Sequence, residues 1–158
     1  MTAPEFIDQA LLDGVSESAR ASARLRKNHN FHARESDLSN RLLNAMEPGS
    51  YVVPHRHLDP NKDETFVVLR GRFGLVLFDT EGAVTSTAVL DSAGPVSGVT
   101  IPHGTFHSLV SLAAGSVFFE AKAGPYAALT PDERAAWAPA EQSAGADDYQ
   151  ARLASLFV

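Results

Sequence analysis

The stretch from Gly49 to Gly71 constrains this chain more than any other: Gly49-Ser-Tyr-Val-Val-Pro-His55-Arg-His57, six residues, Glu64, six more, Gly71. Imidazole and carboxylate are the side chains that hold a first-row divalent ion. Side chains alternate along an extended strand, so His55 and His57 project from one face with their rings side by side. The apolar run Thr65-Phe-Val-Val-Leu-Arg70 reads as the next strand and returns the Glu64 carboxylate beside the imidazoles. A second stretch, Ile101-Pro-His-Gly-Thr-Phe-His107, supplies a third imidazole at the start of another strand. Asp59 and Asp63 compete with Glu64 as the carboxylate, but Asp63 faces the other way along the strand. His29 and His32, three apart, fall on opposite faces of a strand and stay outside the ligand set, and His103 sits in an exposed turn.

The chain around these stretches is written in β-strands. Residues 8–22 are expected to form a helix capped by Asp8, with Leu11, Val15 and Ala19 as its apolar stripe. The basic run Arg24-Leu-Arg-Lys27 reads as a solvated surface. Strands are expected over Arg41–Glu47 and Tyr51–Val53, broken by the turn Pro48-Gly49, and then over Thr65–Arg70, Phe73–Phe78, Ala83–Leu90, Val99–Ile101, His107–Leu112 and Val117–Lys122. Many short strands with turn signals between them predict a sandwich or small barrel. Continuously apolar runs such as Gly74-Leu-Val-Leu-Phe78 imply strands covered on both faces. After Gly124-Pro125, Thr130-Pro-Asp-Glu133 signals a helix stopped by Pro139, and residues 148–157 a second, with Tyr149, Leu153 and Leu156 or Phe157 inward.

The two ligand-bearing stretches resemble the paired motifs of the cupin superfamily. The first motif of that family runs Gly, five residues, His-x-His, three or four residues, Glu, six residues, Gly; only the six-residue gap from His57 to Glu64 departs from it. The second survives as Pro102-x-Gly104-x-x-His107, with Val96 in place of its leading Gly and Ser111 in place of its usual Asn. The stretches 48–57, 66–74 and 115–126, together with Trp137-Ala-Pro139, are similar to the WbuC-type cupin-fold metalloproteins. The resemblance implies an all-β fold, the cupin double-stranded β-helix (jelly roll), with a short N-terminal helix and C-terminal helices. It implies a single cupin domain over residues 1–158, with its metal-binding core at about 40–126. Members of that group are associated with bacterial surface-polysaccharide (O-antigen) gene clusters.

The metal set is therefore His55, His57, Glu64 and His107, suited to Mn, Fe, Ni, Co or Zn. Four protein ligands leave two positions of a six-coordinate ion open, which marks a site for a small molecule more than a structural ion. Alternation places Tyr51 on the face of the two histidines, and Phe66 and Val68 on the face of Glu64. On the last strand Phe118, Glu120 and Lys122 share one face, and Val117 and Phe119 the other; both faces are candidates for the interior. An inward Glu120 would be a candidate general base, and an outward one an exposed pair with Lys122.

Three functions are compatible with such a site: a metal-dependent enzyme on a sugar or sugar derivative, a metal-dependent dioxygenase, and a non-catalytic binding or sensor module. A net charge of −6 argues against nucleic acid or an anionic membrane as partner. The absence of cysteine removes disulfides, thiolate catalysis and iron–sulfur clusters, and suits a reducing cytoplasm. No basic-then-apolar leader opens the chain, so a cytoplasmic protein is expected, with a small molecule as ligand and a homodimer as a candidate assembly.

Overall fold

A computed structural model describes residues 3–158. Asp8 accepts a hydrogen bond from the Leu11 amide at 2.9 Å and so starts helix α1 (Gln9–Ala21). The buried stripe of α1 is Leu12, Val15, Ser16 and Ala19, with Leu11 only half-buried, so the expected stripe is shifted by one residue at its start. Eight strands follow: β1 (Arg26–Asn30), β2 (Ser39–Met46), β3 (Glu64–Arg70), β4 (Arg72–Phe78), β5 (Val84–Asp91), β6 (Gly98–Ile101), β7 (Phe106–Ser111) and β8 (Ser116–Ala123). They form a five-stranded sheet in the order β1-β2-β8-β3-β6 and a three-stranded sheet in the order β5-β4-β7, with every pairing antiparallel.

Alternation along these strands builds three apolar layers. Between the sheets lie Met46, Phe66, Val68, Phe73, Leu75, Leu90, Ile101, Leu109 and Phe118. Outside the five-stranded sheet, α1 packs Leu12, Val15 and Ala19 on Leu43, Ala45 and Val117. Outside the three-stranded sheet, Val76, Phe78 and Val110 lie under the C-terminal segment with Tyr149 and Leu153 of helix α2 (Ala146–Ala154). That explains the apolar run Phe73–Phe78 of β4 and the burial of every residue of β7, polar ones included: both strands are covered on both faces. The chain ends in a single 3-10 turn, Ser155–Phe157, in which the Phe157 ring packs against this last layer over Gly74 while Leu156 is exposed. No helix among the described residues is long and apolar enough to cross a membrane.

Two expected elements do not form. Tyr51–Val53 is not a strand; only His55 makes a bridge, exchanging backbone hydrogen bonds with His107 at 3.1 and 2.9 Å. The helix expected at 130–139 is reduced to one 3-10 turn, Pro131–Glu133, although Thr130 and Glu133 do form the expected capping box. Beyond that turn the backbone is used for pairing: the Ala135 amide donates to Pro54 O at 3.1 Å, and Glu133 O accepts from the Arg56 amide at 2.9 Å. A helix would have kept those groups to itself. The histidine segment is thus clamped between β7 and the 130s rather than lying inside a sheet.

Gly71 joins β3 to β4 as the single residue between them, at φ +76°, and a Cβ there would also lie 2.9 Å from the Ser116 Cα. Gly71→Ala should therefore combine a left-handed penalty with a backbone clash and cost at least about 2 kcal/mol. Gly104, at φ +80° but with open space around it, is the control; Gly104→Ala should cost about 1 kcal/mol. Equal urea midpoints for the two variants would remove the close approach of Ser116 as the reason for a glycine at position 71.

Candidate metal centre

The clamp on residues 54–56 and the first residue of β3 bring His55, His57 and Glu64 together. One ligating atom from each lies within 4.8 Å of the others, a group that could hold a metal ion. His107, near the start of β7, adjoins them: its ring centroid is 4.6 Å from that of His55, and its Nε2 is 2.9 Å from Glu64 Oε2. His57 Nε2 lies 3.0 Å from Glu64 Oε1. Glu64 is 2% exposed and His107 3%, so these groups meet out of bulk water.

The ring tautomers follow from the backbone. His55 Nδ1 sits 2.9 Å from the Val53 carbonyl and His107 Nδ1 2.9 Å from the Thr105 carbonyl. A carbonyl only accepts, so each Nδ1 carries a proton, and in the neutral ring each Nε2 presents its lone pair. With that ring neutral, His107 Nε2 faces Glu64 Oε2 as one acceptor facing another. Both atoms are buried and neither has a hydrogen-bond partner among the described residues. Two buried acceptors 2.9 Å apart repel unless a cation lies against both. The donor set fits a divalent transition metal: the lone pairs are presented, and outer hydrogen bonds fix the rings. Burial and then the neighbouring His107 push His55 down to about 3, so its imidazole is neutral at pH 7, the form that ligates. Burial alone would raise Glu64, but hydrogen bonds from His107 and His57 in their Nε2–H forms, with the Lys122 charge, hold it well below the usual carboxylate range.

β8 turns Phe118, Glu120 and Lys122 toward this group and puts Phe119 under α1, which settles the face that the sequence left open. Lys122 Nζ lies 2.7 Å from Glu64 Oε1 and 2.9 Å from Glu120 Oε1. The Asn44 amide donates to Glu120 Oε2 at 2.8 Å. Burial raises Glu120 above its ordinary value; Lys122, despite its own burial, is held above the usual lysine range by Glu120 and Glu64. These groups, with Phe66 and Phe118, wall a cavity of about 160 Å³ that also reaches Arg26 and Val52.

The other expected pocket residues are placed differently. Val68 packs deeper, in the layer between the sheets. Tyr51 does not share the histidine face: it joins the C-terminal layer, its hydroxyl donating to Pro139 O at 2.8 Å, and Val52 takes the cavity side. Strand alternation does not hold where no strand forms. His29 pairs with Glu5, His103 with Asp63, and His32 bonds the Arg41 backbone, all away from the ligating group. Asp59 holds Asn61 in the loop. Arg56 points away, stacking 4.4 Å over Phe106. The basic run is not simply solvated, because Arg26 enters the cavity wall while bonding Tyr51 O at 2.8 Å and Glu141 at 3.0 Å. Its signal in the sequence is the alternation Arg26-x-Asn28-x-Asn30, whose two asparagines are exposed and border Glu120 and Lys122.

A family model described as "Domain of unknown function (DUF6016)" matches residues 7–90, just over half of the chain. The chain belongs to this DUF6016 family. The DUF6016 match runs from α1 to β5 and so includes His55, His57 and Glu64 but stops short of His107. No curated protein matches the chain. Among solved structures, KdgF from Halomonas sp. is similar at 19% identity and a TM-score of 0.50, covering 65% of this chain and 82% of that one. A conserved protein of unknown function from Streptococcus pyogenes, SPY1581, is similar at 11% identity and a TM-score of 0.53, covering 80% and 93%. A cupin-2 domain containing protein from Shewanella frigidimarina has 17% identity and a TM-score of 0.47, covering 62% and 80%. The first two are likenesses of fold alone, and the two antiparallel sheets of this DUF6016 chain form the cupin jelly roll.

Proposed function

We propose that this chain binds one divalent transition metal through His55, His57, Glu64 and His107 and uses it to act on a small organic molecule. The observation that carries the proposal is the pair of buried, unpartnered acceptors, His107 Nε2 and Glu64 Oε2, 2.9 Å apart. Bound there, the ion would supply Lewis acidity toward a substrate oxygen. The chain's own groups favour proton transfer or isomerisation over simple storage of a ligand. Glu120 lines the same cavity, is not one of the four proposed ligands, and has a carboxyl raised by burial, so it is placed to accept a proton from substrate. Asn44 and Lys122 hold its two oxygens in place. The narrower WbuC-type affiliation, and with it a sugar derivative of surface polysaccharide as substrate, rests on the motif stretches at 48–57, 66–74 and 115–126.

Protein purified without a histidine tag should carry about one transition-metal ion per chain. Glu64→Gln keeps the shape, removes the anionic ligand and gives His107 Nε2 an amide donor. Its metal affinity should fall by a factor of ten to a hundred or more, while far-ultraviolet circular dichroism of the metal-free variant should show the parent's strand signal. Undiminished metal uptake by Glu64→Gln would refute the ligand set. Turnover that consumes oxygen with iron bound would favour the dioxygenase over proton transfer.

A further inference from the structure

The six-residue gap between His57 and Glu64 carries Lys62, and this side chain behaves unlike the rest of its loop. Leu58, Asp59, Pro60 and Asn61 are exposed, whereas the turn closed by the Lys62 amide on Asp59 O, at 2.9 Å, folds Lys62 back to 9% exposure. Its Nζ donates to the Pro125 carbonyl at 2.9 Å. An ammonium has three donors, so two are left over. No carboxylate lies within 4.0 Å of Nζ among the described residues. The contrast with Lys122, held by Glu64 and Glu120, is sharp. Asp59 in the same turn feels the Lys62 charge but is exposed and makes no contact with Nζ, so the ammonium lacks a close partner where buried cations normally have one.

Lys62 lines a cavity of about 210 Å³ whose walls also include Asn40, His55, His57, Lys122 and Tyr126, with no acidic residue among them. His55 and Lys122 are walls of the 160 Å³ cavity at the metal centre as well, so the two spaces adjoin. Each is smaller than a pocket for a drug-sized molecule, about 300 Å³ or more. Polar walls made of an ammonium, imidazoles, an amide and a phenol, on a protein of net charge −6, call for a negatively charged guest at this spot.

We infer that this cavity is an oxyanion subsite, in which Lys62 binds a carboxylate or phosphate group of the same small molecule whose other end meets the metal centre. The inference rests on the proposed metal site for the molecule's position but not for the charge of the guest. The substrate class it names is a small organic acid or phosphate ester. The long His57–Glu64 gap then has a function: it supplies the residue that recognises the anion.

The test uses the metal-loaded full chain and two probes, inorganic phosphate and malonate, titrated calorimetrically at millimolar concentration into the parent, Lys62→Met and Lys62→Arg. The parent should bind at least one probe, Lys62→Met at least tenfold more weakly, and Lys62→Arg within a few-fold of the parent, all three with the same metal content. Preference for phosphate or for malonate identifies which oxyanion the site takes. Methionine keeps the buried stem, and a melting curve for each variant separates loss of the Pro125 hydrogen bond from loss of the anion. Lys62→Met binding both probes as well as the parent does, or a parent that binds neither, would overturn the inference. If no variant holds metal but anion binding still depends on Lys62, the metal proposal fails and the subsite stands.

Discussion

Lys122→Met is expected to destabilise the metal-free protein by about 3–5 kcal/mol, because it strips the one ammonium from two buried carboxylates. Glu64 is 2% exposed and Glu120 8%, and each lies within 2.9 Å of Lys122 Nζ. For a chain of this size that loss should lower the melting temperature by roughly 10 °C. Two conditions should restore it. A divalent ion replaces the missing positive charge at Glu64, so adding manganese or zinc should raise the variant's melting temperature by more than it raises the parent's. Acid should do the same. Without Lys122 the Glu120 carboxyl, already raised by burial, binds its proton more tightly folded than unfolded, so its contribution to stability grows as pH falls toward the ordinary carboxylate range and shrinks as it rises. A variant as stable as the metal-free parent at pH 8 would show that Lys122 is not the counter-ion of this pair.

The legible parts of this protein were those where local chemistry and tertiary use agree. The strands from Thr65 to Lys122 are bounded by Gly71, Gly82 and Gly115, each at positive φ, and their periods survive folding to within a residue or two. The cupin motifs pointed to the fold for the same reason: Gly71 has no room for a side chain. Misreadings came where a distant segment competes for the backbone. Tyr51–Val53 has strand propensity, and 130–139 carries a true capping box. Yet the two segments pair with each other's neighbours, and nothing local encodes that. Phe119 and Glu120 could not be ordered from sequence because both faces of β8 are apolar enough to be buried. Packing of α1 over Leu43, Ala45 and Val117 decides it, leaving the polar face to the cavity. Lys62 was invisible for a related reason: a lysine in a Pro-Asn turn reads as solvated until the turn folds it back toward Pro125.

Chelation should leave the protein folded, whereas Phe73→Ala should not leave it comfortably so. A zinc finger unfolds without its ion because the chain is too small to hold a core. Here the layer between the sheets contains Phe73, Phe118, Leu75, Leu90 and Leu109, each no more than 5% exposed, and two further layers lie outside it. Phe73 is fully buried, with its ring edge-on to Phe118 at 5.0 Å between centroids. Its truncation should cost about 3–5 kcal/mol in cavity and lost contacts. Metal, by contrast, adds only its linkage term, about 4 kcal/mol when free ion exceeds the dissociation constant a thousandfold, and removing it opens no hole in the apolar layers. Parent protein in excess chelator should therefore keep its far-ultraviolet strand signal and a cooperative melt starting well above 25 °C. Phe73→Ala in chelator should lie close to the unfolding threshold of a domain with only about 5–15 kcal/mol to lose. If the chelated parent has no cooperative transition at 25 °C, the ion is a structural staple. The two open positions proposed for substrate then lose their main support, because an ion that holds the fold together needs no vacant coordination.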